Sequence, residues 1–423
     1  MAPLRRASIG LDLCGACSLL AWCALTYWSR RGAVPAAALI AVMGVGWASL
    51  ALAWRAARRE SGARLLPRLW LWAVLFRAAG FVGAPVLEDD HYRYLWDGYR
   101  FATAGTPYGS APARFFEDAS VPPRFQTILD GINHPHLETI YGPVTEWAFR
   151  VAYAVAPGEL WAWKAIAIGA DLGALALLLR LVAPANALLY AWCPLLIQEI
   201  AFTGHPESLG ALALMAGLVL FRRGNRAGAG AAVVAAAGVK ITGGLLLPFV
   251  LWRPRWRVWL AVASVGALLW GPFWWRGATE WSSLRAMAAE WEFNSSVFGL
   301  AAAALGRGWA QGLCGMAMAS GFLWIWKRWS PQEIPRGDWL YGGFFLLSPV
   351  VNPWYLLWLV PFAALYPSVW AMAAPAAVSL SYWCGVNSGV GGLGAYEHPV
   401  WVRVVEYGVI ACAVAWAARE RTA

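Results

Sequence analysis

The sequence predicts an all-α polytopic membrane protein, and three observations carry that prediction. Of its 423 residues, 60% are hydrophobic and only 13% charged, where a soluble domain has about a quarter charged. The apolar residues are gathered into runs of about 20, the length that crosses a bilayer as a helix. The basic residues fall in short loops between those runs, as orientation signals do. Thirty tryptophans would be excessive in a soluble chain, but an amphipathic ring is favoured at both membrane interfaces.

The apolar runs lie near 9–28, 34–54, 69–87, 161–182, 184–202, 207–221, 227–251, 257–274, 300–326, 339–366, 368–386 and 400–418. The first follows "MAPLRRAS" and reads as an uncleaved signal anchor. Two runs are too long for one crossing. Lys240 and "TGG" interrupt 227–251, and "SPVVNPWY" interrupts 339–366, so each reads as two short helices meeting at a break. That brings the expected bundle to about 12–14 transmembrane helices in one integral-membrane domain, 1–423. Between the third and fourth runs stands a loop, 88–160, too long to be mere connection. It carries turn signals ("GTPYGSAP", "VPPRF", "NHPH") and amphipathic stretches. In one of these Tyr92, Leu95, Trp96 and Tyr99 recur at helical spacing, as for a helix lying in the interface with its aromatic face toward lipid.

Orientation follows from the arginines. Arg5 and Arg6, the five between Arg55 and Arg68, "FRRGNR" at 221–226, "WRPRWR" at 252–257, "WKRWS" at 326–330 and the terminal "ARERTA" all fall on one side when crossings are counted, so that side is the cytoplasm. Arg30 and Arg31 are the exceptions. Parity places the loop 88–160, the turn "TGHPES" at 203–208, the loop 276–298 and the break "NPWY" at 352–355 on the other side, and Lys240 approaches the same face. The net charge of +10 therefore describes membrane topology and not a nucleic-acid partner. The seven cysteines all lie in apolar runs, and "CGAC" at 14–17 has no second ligand pair, so small buried residues explain it better than a redox or metal role.

The densest charge cluster, "EDDHYRYLWDGYR" from Glu88 to Arg100, stands directly after an apolar run. Ionisable groups at a membrane surface invite a functional reading. Acids there also mark the water boundary and cap the following helix. Three features favour function. Arg93 and Asp97 follow Asp90 by three and seven residues on one helical face. "HPHLETIYGP" at 134–143 adds a second proline-fixed polar patch in the same loop. The other outer loops supply His205, Glu207, Arg276, Glu290, Glu292 and Asn294.

"EDDHYRYLWDGYRFATAGTPYG" resembles a signature of bacterial GT-C glycosyltransferases, closest to their polyprenol-phosphomannose-dependent mannosyltransferase branch. Asp89, Asp90, Tyr92, Arg93, Tyr94, Trp96, Asp97 and Gly98 match, while "TPY" at 106–108 replaces Asn-Pro-Tyr. "NHPHLETIYGPVTEWAF", "KITGGLLLPF", "WEFNSSVFGL" and "NPWYLLWLVPF" are similar to later stretches of that branch, with Asn352 where a histidine is common. The resemblance runs from about 69 to 366, and departs in placing two spans before the one that leads into the acidic loop.

The resemblance implies a GT-C-type bundle whose extracytoplasmic loop bears amphipathic helices and the catalytic groups. It implies inverting transfer of a hexose, most simply mannose, from a polyprenyl-phosphate donor to a glycan or glycolipid acceptor at a bacterial cytoplasmic (inner) membrane. Asp89 or Asp90 would be the base. Arg93, Lys240 and Arg285 are the leaving-phosphate candidates. Asp97 stands with them as a substrate-side group, His134 and His205 could orient phosphate or acceptor, and Tyr141 and Trp354 could stack on sugar. No cofactor is demanded, though three adjacent acids could hold a divalent cation. The competing class is a lipid-linked sugar transporter or flippase, in which broken helices and intramembrane charges mark the substrate path. Against it, the halves show no internal repeat and the polar residues gather at one face rather than at the midplane.

Overall fold

The computed structural model describes residues 2–384, 386 and 396–422, with backbone alone at 2–7 and 420–422. Among these residues the chain is helical throughout, with one isolated parallel bridge between Phe293 and Val350. Three long helices open it: α1 (Ala2–Ser29), α2 (Ala36–Ala57) and α3 (Gly62–Val82). The loop then contributes α4 (Asp90–Ala104), α5 (Pro123–Asp130) and α6 (Pro143–Val155) before α7 (Leu160–Leu178) returns to the bundle.

Among the described residues, six helices are long and apolar enough to cross a membrane: α7, α2, α3, the Ser8–Ser29 part of α1, Trp256–Trp274 and Val400–Arg419. A seventh span is available if Pro184–Ala191 and Pro194–Phe202, bent by 45°, count as one. The other apolar runs are short or divided, where glycine, proline and polar residues interrupt the backbone ladder. The break expected in 227–251 separates Arg226–Ala237 from Ile241–Leu246. The break in 339–366 separates Gly337–Leu347 from Pro353–Trp358. The run 300–326 is also divided, at Gly306 with φ 86°, giving Val297–Leu305 and Arg307–Arg328.

One reading of the loop is corrected. Trp96 and Tyr99 of α4 do not face lipid; they are 1% and 7% exposed and pack on Phe125 and Leu129 of α5 in a small second core. Tyr99 stacks on Phe125 with ring centroids 4.2 Å apart. Burying two large rings inside the loop folds it into a lid with its own interior. On its other face α4 lies against α6, close enough that a Cβ at Gly98 would stand 2.7 Å from the Phe149 carbonyl.

The bundle has two polar ends. At one, the arginine-rich loops meet: Arg226 donates to the Pro331 carbonyl at 2.8 Å, Trp252 packs on Trp326, and Arg336 pairs with Asp338 at 2.6 Å. At the other, the four segments that parity placed together come together. Helix Glu207–Arg222 joins the two ends, and its 16 residues span about 24 Å.

Inside the bundle, α3 and α7 share a buried ion pair. Arg77 and Asp171 lie 2.7 Å apart and are 1% and 0% exposed; Arg77 also donates to the Ala191 carbonyl, and Tyr190 donates to Asp171 at 2.7 Å. Removing one partner strands the other charge. Arg77→Met should therefore destabilise the detergent-solubilised protein by on the order of 3 kcal/mol, and Arg77→Met with Asp171→Asn should recover part of that loss, both read by thermal unfolding.

Candidate active site

The cleft at the loop-covered end is built by satisfying broken backbone. At the break after Ala237, the Gly238 and Val239 carbonyls are met by the first turn of α6. Val144 N–H donates to Gly238 at 2.8 Å, and Thr145 Oγ1 donates to Val239 at 3.2 Å. A side chain at Gly142 would collide with the Gly238 carbonyl, so glycine is what lets the loop dock there. This docking turns Lys240 toward the loop. Across the cleft, Ser283 Oγ donates to the Glu138 carbonyl at 3.0 Å. Phe293 N–H donates to the Pro349 carbonyl at 3.0 Å and Val351 N–H donates to the Phe293 carbonyl at 2.9 Å, which brings Asn352 and Trp354 alongside.

The resulting space of about 1000 Å³, open to solvent, is lined by Asp90, Arg93, His134, Tyr141, His205, Lys240 and Trp354 among the expected residues. Three expected residues stand elsewhere. Asp89 occupies the N-cap position of α4, one residue before the cleft wall. Asp97 is buried behind Arg93, whose Nε donates to it at 3.0 Å while its other arm donates to the Leu137 carbonyl. Arg285 lines a neighbouring apolar groove with Ile241, Leu284, Phe344, Val350 and Trp358. That groove, of about 1080 Å³, shares Ile140, Lys240, Met287 and Tyr355 with the cleft. Lys240 thus sits at the junction of a polar and an apolar compartment. Its ammonium is 3.1 Å from Glu207 and lies over the Tyr355 ring at 3.4 Å.

His205 is the most constrained cleft residue, 1% exposed. A widened turn, in which Thr203 N–H reaches the Gln198 carbonyl at 3.2 Å, and Gly204 at φ 81° fold Glu199 back onto it. His205 Nδ1 is 2.7 Å from Glu199, Nε2 is 3.6 Å from Asp90, and the ring stacks on Trp354 with centroids 4.3 Å apart. Burial opposes its charge, but Glu199 and Asp90 outweigh burial and raise its pKa to about 10, so it is cationic at neutral pH. His134, held at φ 49° against Trp291, is shifted the other way by burial and by His136 and stays neutral. The cleft therefore holds one histidine of each kind, one a cation and one able to accept or donate a hydrogen bond. Glu88, Asp90 and His205 also bring one ligand atom each within 4.8 Å of one another, an arrangement that could hold a divalent cation.

Glu199, Asn133, Asn352 and Tyr396 were not read from the sequence as site residues. Asn133, Asn352 and Tyr396 line the cleft, and Glu199 orients His205. An acid inside the run 184–202 is the same signal that singled out Lys240, and it would have found Glu199. The seven cysteines carry no disulfide, and in "CGAC" Cys14 is half-buried and Cys17 exposed, not buried as expected.

No curated protein and no solved structure matches the chain. One family does: the one described as alpha-(1->6)-mannopyranosyltransferase, N-terminal domain, matches residues 8–255. The matched stretch contains Asp90, Arg93, His134, Tyr141, His205 and Lys240, most of the charged cleft just described. It covers more than half of the sequence, and the chain belongs to this alpha-(1->6)-mannopyranosyltransferase family of glycosyltransferases.

Proposed function

We propose that the chain transfers mannose from a polyprenyl-phosphate donor to a hydroxyl of a glycan or glycolipid, on the face of the bacterial cytoplasmic membrane opposite the arginine-rich loops. The observation that carries this reading is the junction at Lys240, where a cleft lined by charged groups opens onto an apolar groove. A lipid phosphate has the same two-part chemistry. Its chain would lie along Leu284, Phe344 and Trp358, and its phosphate would meet Lys240 from the groove and Arg93 and His205 from the cleft. A nucleotide sugar has no use for the apolar groove. A flippase would need an apolar and polar path through the bundle, and the charged groups of the cleft gather at one end of it.

Asp90 is the base. It lines the cleft, is partly exposed, and lies 3.6 Å from His205 Nε2. It would take the proton of the acceptor hydroxyl as that oxygen attacks the anomeric carbon. The bond to phosphate breaks, and the leaving charge develops next to cations that need no reorganisation. Inversion makes an α product from a β-linked donor, and the family's description names an alpha-(1->6) bond. Arg285, on the groove wall, is placed to meet phosphate oxygens from the lipid side.

The test is transfer of labelled mannose from a defined lipid donor by purified protein. Asp90→Asn keeps shape and removes charge, and should lower turnover by about a hundredfold or more. Asp89→Asn should cost far less, because Asp89 stands at the helix cap. Near-normal turnover in Asp90→Asn would move the base to Glu207, another cleft carboxylate, which is tied to Lys240.

A cation held by Glu88, Asp90 and His205 would replace the proton on His205 Nε2, since that nitrogen has one position to give. Such an ion would supply positive charge for the phosphate that cationic His205 otherwise supplies. Glu199 on Nδ1 is the kind of partner that orients a metal-bound imidazole, so the residues fit either occupant. Removing divalent ions with a chelator decides between them. We expect unchanged transfer if His205 is the cation, and a loss restored by added Mg²⁺ or Mn²⁺ if a metal is.

A further inference from the structure

Behind the cleft wall lies a buried polar group that the transfer chemistry does not use directly. Asp97 of α4 and Glu146 of α6 are 1% and 0% exposed, as is Thr139 at 0%. The two carboxyl groups are near neighbours, each acting on the other's charge. Gly98 is what permits this: with no side chain it lets α4 lie on the Phe149 carbonyl of α6, and the neighbouring Asp97 reaches Glu146. Thr139 Oγ1 donates to Glu146 Oε1 at 2.8 Å. Glu146 Oε2 is buried and receives no N–H or O–H. Arg93 supplies the only cation bonded to the pair among the described residues, and it bonds to Asp97 alone, at 3.0 and 3.1 Å.

Charge and hydrogen counting then leave one arrangement. Two carboxylates and one guanidinium in a buried site carry a net negative charge, which is costly. Two acceptors facing each other also need a proton between them. The carboxylate bonded to Arg93 stays ionised, and the other carries the proton. We propose that Glu146 is a positioning residue for transfer: as a carboxylic acid it donates its O–H to Asp97, which fixes the Asp97 carboxylate and, through it, the Arg93 guanidinium at the cleft floor.

The consequence for the cleft follows from geometry. Arg93 has a long side chain with several rotamers, and only two anchors hold it, Asp97 on one arm and the Leu137 carbonyl on the other. With both, its remaining N–H groups are aimed before any phosphate arrives. Burial and the nearby Asp97 charge both push the Glu146 pKa well above the ordinary carboxylate range, in the direction the arrangement requires. The groups facing Glu146 are Asp97 and, through it, Arg93 from α4, Thr139 from the loop, and Tyr108, whose hydroxyl donates to the Tyr141 carbonyl at 2.9 Å. None of them offers a second cation.

This inference rests on reading the cleft as the transferase site, and its experiment separates the two. Glu146→Gln replaces the O–H donor by an N–H donor and keeps an oxygen for Thr139, so it should leave the donor KM and kcat close to wild type. Glu146→Leu and Asp97→Asn should each raise the donor KM by on the order of tenfold to a hundredfold, with thermal unfolding showing that the protein is folded. Glu146→Gln as impaired as Glu146→Leu would overturn the proposal, and so would Glu146→Leu with the wild-type KM. The proton is read independently of any substrate. At neutral pH the infrared spectrum of the wild type should contain a protonated-carboxyl band that Glu146→Gln removes. An unchanged band in Glu146→Gln also overturns it, whether or not the lipid donor proves to be the substrate.

Discussion

A backbone carbonyl freed by a break in a membrane helix is costly to bury unpaired, and several such carbonyls here are answered by another segment. The carbonyls of Gly238 and Val239 are met by Val144 and Thr145. Those of Gly80 and Gly83, at the end of α3, are met by the buried ammonium of Lys164 at 2.7 and 2.8 Å. The Thr242 carbonyl is met by the Tyr341 hydroxyl at 3.1 Å. Unsatisfied groups at that depth would cost several kcal/mol each. The breaks can exist only because the loop and the neighbouring helices dock on them, and the docking is what shapes the cleft. Lys240, Trp354 and His205 reach it because each belongs to an interruption in a helix, not to a helix face.

The same economy explains how a lid made of short helices can be rigid. α4 presents three sets of groups. Trp96 and Tyr99 make a small core with α5; Gly98 and Asp97 are locked to α6; Asp90 and Arg93 face the cleft. A helix of 15 residues is marginal alone, but here its aromatic and buried polar sides are both engaged. Its third side can then hold charges in place against solvent, which is the preorganisation that stabilising a leaving phosphate requires.

Much of this was legible in the sequence, for identifiable reasons. The arginine-rich loops and crossing parity grouped the segments 88–160, 203–208, 276–298 and 352–355, because positive-inside orientation depends on local composition alone. The breaks at Lys240 and "SPVVNPWY" were legible because a polar residue inside an apolar run is costly unless it lines a cavity or an interruption of the helix. The bend at Pro194 and the division at Gly306 carry no such signal, since a single proline or glycine is tolerated in many membrane helices. Asp97 read as a substrate-side residue because it shares a face with Asp90. Its true neighbour, Glu146, is 49 residues away on α6, and nothing local announces that pairing. The apolar groove was illegible for a similar reason. Leu284 comes from an outer loop and Phe344 and Trp358 from the two parts of one apolar run, and nothing local announces that they pack together.

The account stands on the claim that one ligand occupies both compartments, with its charge at Lys240 and its chain in the groove. The most direct test is photocrosslinking with a polyprenyl phosphate that carries a diazirine on its first isoprene units, followed by peptide mapping. The account predicts labelling of the segments 284–288 and 344–350, competed by unlabelled polyprenyl phosphate and weakened in Lys240→Ala. Labelling at the arginine-rich end, around 221–226 or 326–336, or labelling of 284–288 that ignores both the competitor and Lys240, would contradict it.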